Sequence, residues 1–438
     1  MPAAEVAGRA TSRGLRRSIG PIGAALSGVG IILGAGIYVL IGEAAGLTGN
    51  ILWFAFLLGA ILATTTGLSY SELATMYPES GASAAYTHEA FGPRVAFICG
   101  WMTIVVALLA ASTVAVGFGG YLAELIGGPE RLFAIIAVVL CTAIALTGPG
   151  ETVRVAGTFA VIEAGGLLAV IAFGLPYVGD ADLMKATAGL GGVLAAAAVV
   201  FFAYQGFEQI ATLSEEVHNP SRNLPIAFMV AITITGVLYV AIAVVAVSVV
   251  DADALAEGNA PLALVMETAA GRRAADALAV GALFATFNTV LLSLATGARS
   301  AYGMAQRGLL PRALARVHDD RQTPWVAVLI GGTLASGFAL AGGIGYLAQV
   351  TNFAVLAIFI AVNAAVVRLR FSQPSHERPF CLPLAPGRVP VTAAVALLGA
   401  VTLAAFVELE ALVTGIATLA VGIAISFVAV RGDQAGAS

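Results

Sequence analysis

The feature that most constrains this chain is a succession of apolar runs, each close to the length of about 20 residues that a helix needs to cross the hydrocarbon of a bilayer. One of them, FICGWMTIVVALLAASTVAVGF over 97–118, has no acidic or basic side chain at all. Runs of this kind stand near 19–44, 51–76, 95–124, 131–148, 155–178, 190–213, 223–250, 275–303, 324–342, 344–367, 390–407 and 411–430. Only 11% of the residues are charged and 59% are apolar, whereas soluble domains carry roughly 25% charged residues. A soluble fold of this size could not cover its surface with so few polar groups. Lipid as the solvent removes that requirement. The chain therefore reads as an all-α integral membrane protein with twelve transmembrane helices. The first run is too long and too rich in glycine for a cleaved leader and is read as a true span.

Orientation follows from the basic residues, which favour the cytoplasmic side. With the N-terminus inside, sixteen Arg fall in inner segments, and four basic residues (Arg131, Lys185, Arg272 and Arg273) fall in outer ones; Arg299 lies near the inner end of the eighth run. That bias predicts an even number of spans, both termini cytoplasmic, and a multi-pass protein of the cytoplasmic membrane. Trp53, Trp101 and Trp325 fall near predicted span ends, where indoles favour the interface. The connections 251–274, 304–323 and 368–389 are too short to bury cores of their own. Cys99, Cys141 and Cys381 are far apart and form no metal or disulfide pattern. No metal, cofactor or nucleic-acid partner is expected; membrane lipid is.

Two runs are unsuited to continuous helices. SGVGIILGAGIYVLIG crowds Gly28, Gly30, Gly34 and Gly36 at mid-membrane, and each glycine costs a helix about 1 kcal/mol relative to Ala. FFAYQGFEQ in the sixth run places Gly206 just before Glu208. Unwound backbone at membrane depth is tolerated only inside protein or along a watery cavity. The half-helix beginning after a break presents free N–H groups and a partial positive charge, which suit a carboxylate. The carbonyls ending the half-helix before the break suit an ammonium. Paired breaks in two halves are the mark of an inverted-repeat transporter site, and their five-span separation implies repeats of spans one to five and six to ten. The competing reading is close helix packing, since Gly30 and Gly34 also fit a GxxxG spacing.

These segments resemble a known family. GVGIILGAGIYVLIG is similar to the first-span motif of the amino acid–polyamine–organocation transporter superfamily. LSYSELATMYPESGASAAYTHEAFG, followed by Gly100-Trp101, resembles its second-span signature and the loop after it. FFAYQGFEQIATLSEEVHNPSRNLPIA resembles its sixth-span block, GARSAYGMAQRGLLP the end of its eighth span, and TPWVAVLI its ninth. The blocks cover about residues 18–330.

The resemblance implies a five-plus-five inverted-repeat core over 19–370 (repeats about 19–178 and 190–370). Two peripheral helices over 390–431 and cytoplasmic tails at 1–18 and 432–438 complete the layout. It implies an amino acid carried by alternating access. Residue by residue, the amides of Gly34, Ala35 and Gly36 are expected to hold the substrate carboxylate. Carbonyls near Ile31 and Ile32, and near Phe202, Ala203 and Gln205, are expected to take the ammonium, with Gly206 at the break. Phe202 is expected to cover the site and Ser293 to face the substrate side chain.

Charges inside spans cost about 2.5–3.5 kcal/mol on insertion scales and are functional candidates by default. Glu163 lies in the fifth run, where several proton-coupled relatives carry Lys; it is a candidate to bind the coupling proton, or sodium. Glu208 is a candidate to brace the broken sixth span or to take part in proton transfer. Glu215, Glu216, Arg222 and Arg94 form a candidate inner gate, with solvated loop charges as the alternative.

The absence of acid from the third run argues against a polyamine and for a zwitterion. The expected function is secondary active transport of neutral α-amino acids by proton-coupled symport. An uncoupled amino acid exchanger, or a polyamine or organic amine permease, is the alternative, in monomeric or homodimeric form. An enzyme is not expected, because His88, His218, His318 and His376 lie in predicted inner loops without a catalytic motif.

Overall fold

The computed structural model describes residues 19–78, 82–147, 149–214, 217–386 and 388–436, with side chains described except those of 149–158, 160 and 431–436. The N-terminal tail at 1–18, Glu215 and Glu216 lie outside the described residues, as do the side chains of Arg154 and Arg431. Among the described residues the regular structure is helical, with two isolated bridges, Ile19 to Val217 and Gly49 to Ala186.

The first run is two helices, α1 (Pro21–Ile32) and α2 (Gly36–Thr48), bent by 49° across a three-residue break. Then follow α3 (Leu52–Met76), α4 (Ala82–Phe91), α5 (Pro93–Ile126), α6 (Glu130–Ala145) and α7 (Pro149–Gly174). The sixth run begins as α8 (Gly189–Val200) and tightens into 3-10 turns at Phe201–Tyr204 and Phe207–Leu213. The remaining helices are α9 (Pro220–Val249), α10 (Ala252–Glu257), α11 (Pro261–Ala270), α12 (Arg272–Gln306), α13 (Trp325–Ala341), α14 (Ile344–Ser372), α15 (Val391–Ala405) and α16 (Leu409–Gly436). Helix stands at each of the twelve expected runs. Among the described residues, seven helical segments are long and apolar enough to cross a membrane by themselves, and the bent α1–α2 pair makes eight. The third and eighth runs extend to 34 and 35 residues, longer than a perpendicular crossing requires.

Apolar residues cover the outside of the bundle, with Leu26, Ile126, Leu175, Val237, Leu398 and Val428 all exposed; this is the reverse of a soluble protein and suits lipid. The centre is rich in buried aromatic side chains. Tyr70, Tyr204, Tyr239, Phe201, Phe207 and Phe359 are buried there, and edge-to-face ring pairs join several of them. The short helix α10 lies across α2: a methyl on Gly42 would fall 2.5 Å from the Leu255 carbonyl. Two indoles bond to main-chain carbonyls of other segments. Trp53 Nε1 donates to the Leu183 carbonyl at 3.0 Å, and Trp101 Nε1 to that of Thr418 at 3.1 Å.

Candidate functional site: two broken spans in contact

The break in the first span covers Leu33–Ala35, between the last bond of α1, Leu33 N–H to Val29 O at 2.8 Å, and the first of α2, Val39 N–H to Ala35 O at 3.1 Å. The break in the sixth span centres on Gln205 and Gly206; Gly206 has φ +108°, a conformation that favours glycine. The two breaks touch. A methyl on Gly206 would lie 2.9 Å from the Ile31 carbonyl, and one on Gly36 would lie 2.7 Å from Ala203 Cα. Glycine is thus required at both contacts, and Ile31, Gly36, Ala203 and Gly206 lie together. Gly30 differs: a methyl placed on it would have nothing within 4 Å, so helix packing does not explain it. A methyl on Gly34 would meet Thr289 Oγ1 at 3.5 Å, an ordinary contact.

Several backbone groups freed by the breaks have partners from other helices, and one is satisfied within its own break. Ala35 N–H donates to Thr289 Oγ1 of α12 at 3.2 Å. The Ile32 carbonyl accepts from the Tyr239 hydroxyl of α9 at 3.0 Å. The Phe202 carbonyl accepts from Gln205 N–H at 3.2 Å. Asn352 of α14 donates from Nδ2 to the carbonyls of Ala198 and Val199, at 2.5 and 3.0 Å, and accepts from Gln205 Nε2 at 2.7 Å. A substrate carboxylate at the Ala35 amide therefore has to displace a threonine hydroxyl. Ser293 lies four residues beyond Thr289, on the same face of α12, and is half-buried. Phe202 is buried. Solvent access survives at the half-buried Gly30, Ile31, Gly34, Gln205, Thr289 and Ser293.

Glu163 is buried within α7, and neither carboxyl oxygen has a hydrogen-bond partner. Its main-chain carbonyl accepts from the Tyr38 hydroxyl at 2.9 Å, and Tyr121 donates in turn to the Tyr38 carbonyl at 2.9 Å. The fifth span thus packs against the first one just past its break, as expected. Glu208 has a definite partner: Oε2 accepts from Gly206 N–H at 2.9 Å, capping the half-helix that starts there. This supports bracing over proton transfer.

Of the candidate inner gate, Glu215 and Glu216 lie outside the described residues, and only Arg222 and Arg94 can be placed. Arg222 is exposed, and Arg94 lies over the Phe427 ring, 4.8 Å from its centroid. The buried ion cluster is elsewhere, at the end of the bundle where α3 and α14 finish. Glu72 of α3 bonds to Arg370 of α14 through both carboxyl oxygens and lies 3.4 Å from Arg378 Nε; Leu382 N–H donates to it at 2.9 Å. Glu72, Thr289, Tyr239 and Asn352 are the residues that sequence reasoning missed. Their only signal was polarity inside apolar runs.

Paired mid-span breaks in contact, with half-helix ends facing each other, define a membrane transporter rather than an enzyme. Residues 19–429 match the profile of the amino acid permease family. The chain is 30% identical over 403 residues to the branched-chain amino acid permease BcaP of Bacillus subtilis, covering 87% of each chain. It is 29% identical over 406 residues to the methylthioribose transporter of the same organism, covering 88% of each. It is also 29% identical over 375 residues to a vacuolar cationic amino acid transporter of Arabidopsis thaliana, covering 79% of this chain and 62% of that one. The protein belongs to the amino acid permease family, within the amino acid–polyamine–organocation superfamily.

Proposed function

We propose that the protein carries neutral α-amino acids across the cytoplasmic membrane by alternating access, in symport with protons. The observation that carries this reading is the direct contact of the two breaks, Gly206 against the Ile31 carbonyl and Gly36 against Ala203. It leaves amide donors at the start of α2 and carbonyl acceptors at the end of α1 within one small volume. On this reading a zwitterion binds there, its carboxylate at the amides of Gly34, Ala35 and Gly36 and its ammonium toward the carbonyls near Ile31, Ile32, Phe202 and Ala203. Phe202 closes the site, and Ser293 meets the side chain. The twelve helical runs are twelve crossings in two inverted repeats, with α15 and α16 peripheral and both termini cytoplasmic.

Proton coupling rests on Glu163. A buried carboxylate without a hydrogen bond is among the most costly groups a membrane protein can hold, so this one shares its site with a proton or a cation. Its main-chain carbonyl accepts from Tyr38, two residues past Gly36, which places Glu163 next to the segment that follows the break. Sodium in place of the proton and uncoupled exchange are the competing modes. A polyamine substrate is disfavoured because the third span carries no acid.

The test is uptake by purified protein in liposomes, using labelled leucine, arginine and putrescine with imposed proton or sodium gradients. Leucine accumulating under a proton gradient alone is the expected result. Putrescine transport in preference to leucine would overturn the substrate assignment, and accumulation under sodium alone would overturn the coupling.

A further inference from the structure

Of the six residues 201–206 that form the break in the sixth span, only Gln205 keeps solvent access; the others are buried. A glutamine side chain has two unlike ends, one donating and one accepting, and which end faces the open space decides what it can recognise. Here the orientation is set by a chain of bonds that begins at groups unable to reverse. Ala198 and Val199 lie in the last turn of α8, where the interruption of the helix leaves carbonyls to be satisfied. A carbonyl only accepts, so the side chain that meets these two must present its NH2. Asn352, itself buried, does so. Its Oδ1 is therefore turned to Gln205, and it accepts from Gln205 Nε2 at 2.7 Å. That bond turns the Nε2 end of the amide to Asn352, so Oε1, on the other side of the amide carbon, points away from Asn352.

We infer that Asn352 is a positioning residue that fixes Gln205 with its side-chain oxygen toward the space between the breaks, so that Gln205 selects substrates by an amino-group donor. This rests on the transport reading above and deepens it. Reversing Gln205 would set its NH2 toward the substrate and its oxygen against the Asn352 oxygen, leaving two acceptors facing each other in a buried position. Reversing Asn352 as well would set its oxygen against the two carbonyls. The α8 carbonyls thus impose one polarity on the whole relay. Gly206, the residue after Gln205, lies against the Ile31 carbonyl, 2.9 Å from where a methyl on it would fall, which brings Gln205 close to the expected position of the ammonium. A site built to bond a donor rejects an analogue that lacks it, because its own acceptor is left unpaired.

The test is competition against labelled leucine counterflow in proteoliposomes, comparing unlabelled leucine with 4-methylpentanoate, which is leucine without its amino group. Wild type should favour leucine strongly. In Gln205→Met, close in shape but with no amide, and in Asn352→Leu, that preference should fall at least tenfold, through weaker competition by leucine. Gln205→Glu, as the acid with its hydroxyl donating to Asn352 Oδ1 in place of Nε2, keeps an acceptor toward the substrate and should retain the preference. A side chain that only supports the fold would weaken both competitors in parallel and leave their ratio unchanged; that result would overturn the inference. So would loss of the preference in Gln205→Glu alongside its retention in Gln205→Met. Absence of leucine counterflow in wild type would instead sink the transport reading, so the two failures are distinguishable.

Discussion

Gly206 is where backbone conformation and packing impose the same residue. Its φ of +108° is strained for any L side chain, and a methyl there would meet the Ile31 carbonyl at 2.9 Å. Gly206→Ala should cost about 1–3 kcal/mol and abolish transport, read as a lower melting temperature in detergent together with lost uptake. Gly23→Ala serves as the control, since its nearest neighbour would be at an ordinary 3.4 Å; equal loss in both would remove the special role of the break. Thr289 gives a prediction of opposite sign. If the substrate carboxylate replaces its hydroxyl on Ala35 N–H, then Thr289→Val leaves that amide unpaired in the empty protein, at a cost of about 1–3 kcal/mol that substrate binding relieves. The half-saturating concentration should fall by about tenfold, which corresponds to about 1.4 kcal/mol. A rise would mean that Thr289 holds the substrate rather than standing in for it. At Glu163, exchange for Gln retains shape and removes charge. Uptake should lose its pH dependence and its ability to accumulate leucine, while counterflow persists; unchanged accumulation would leave the carboxyl structural.

Among the elements, α14 ties the bundle together in a way that its sequence hides. Asn352 holds the end of α8, Asn363 Nδ2 reaches Thr66 of α3 at 3.3 Å, and Arg370 meets Glu72 of the same helix. The breaks themselves were legible, because glycines clustered at mid-span have few other uses. Glu163 and Glu208 were legible as well, because a charge in an apolar run stands out. Thr289, Tyr239 and Asn352 were not, since a lone polar residue in a span bonds to its own helix as readily as to another. Thr113, whose hydroxyl returns to the Leu109 carbonyl at 2.8 Å, is such a case. Glu72 was overlooked inside the motif SELATMYPES because its partners are distant in sequence. Removing it strands two arginines, and breaking a buried pair from one side costs about 3–5 kcal/mol. Glu72→Leu should therefore lower the melting temperature sharply, and a triple replacement that also removes the charges of Arg370 and Arg378 should restore part of the loss. No recovery would show that the cluster stabilises through Glu72 alone, by way of Leu382 N–H.

For the whole molecule, composition decided the solvent, and the solvent decided the fold class. With 11% charged residues the chain has no polar surface to offer water, and its exposed residues are accordingly apolar. Within that fold one volume differs from the rest, where two helices are interrupted side by side and the released backbone groups take partners from α9, α12 and α14. The central claim is that a zwitterion replaces or joins those partners, with both of its charged ends recognised. The most direct measurement is competition against leucine counterflow by leucinamide, which lacks the carboxylate charge, and by 3-methylbutylamine, which lacks the carboxylate altogether. Both should compete far more weakly than leucine, with the amine weakest. Competition by the amine equal to that of leucine would contradict the account, because no carboxylate would then be held at the start of α2.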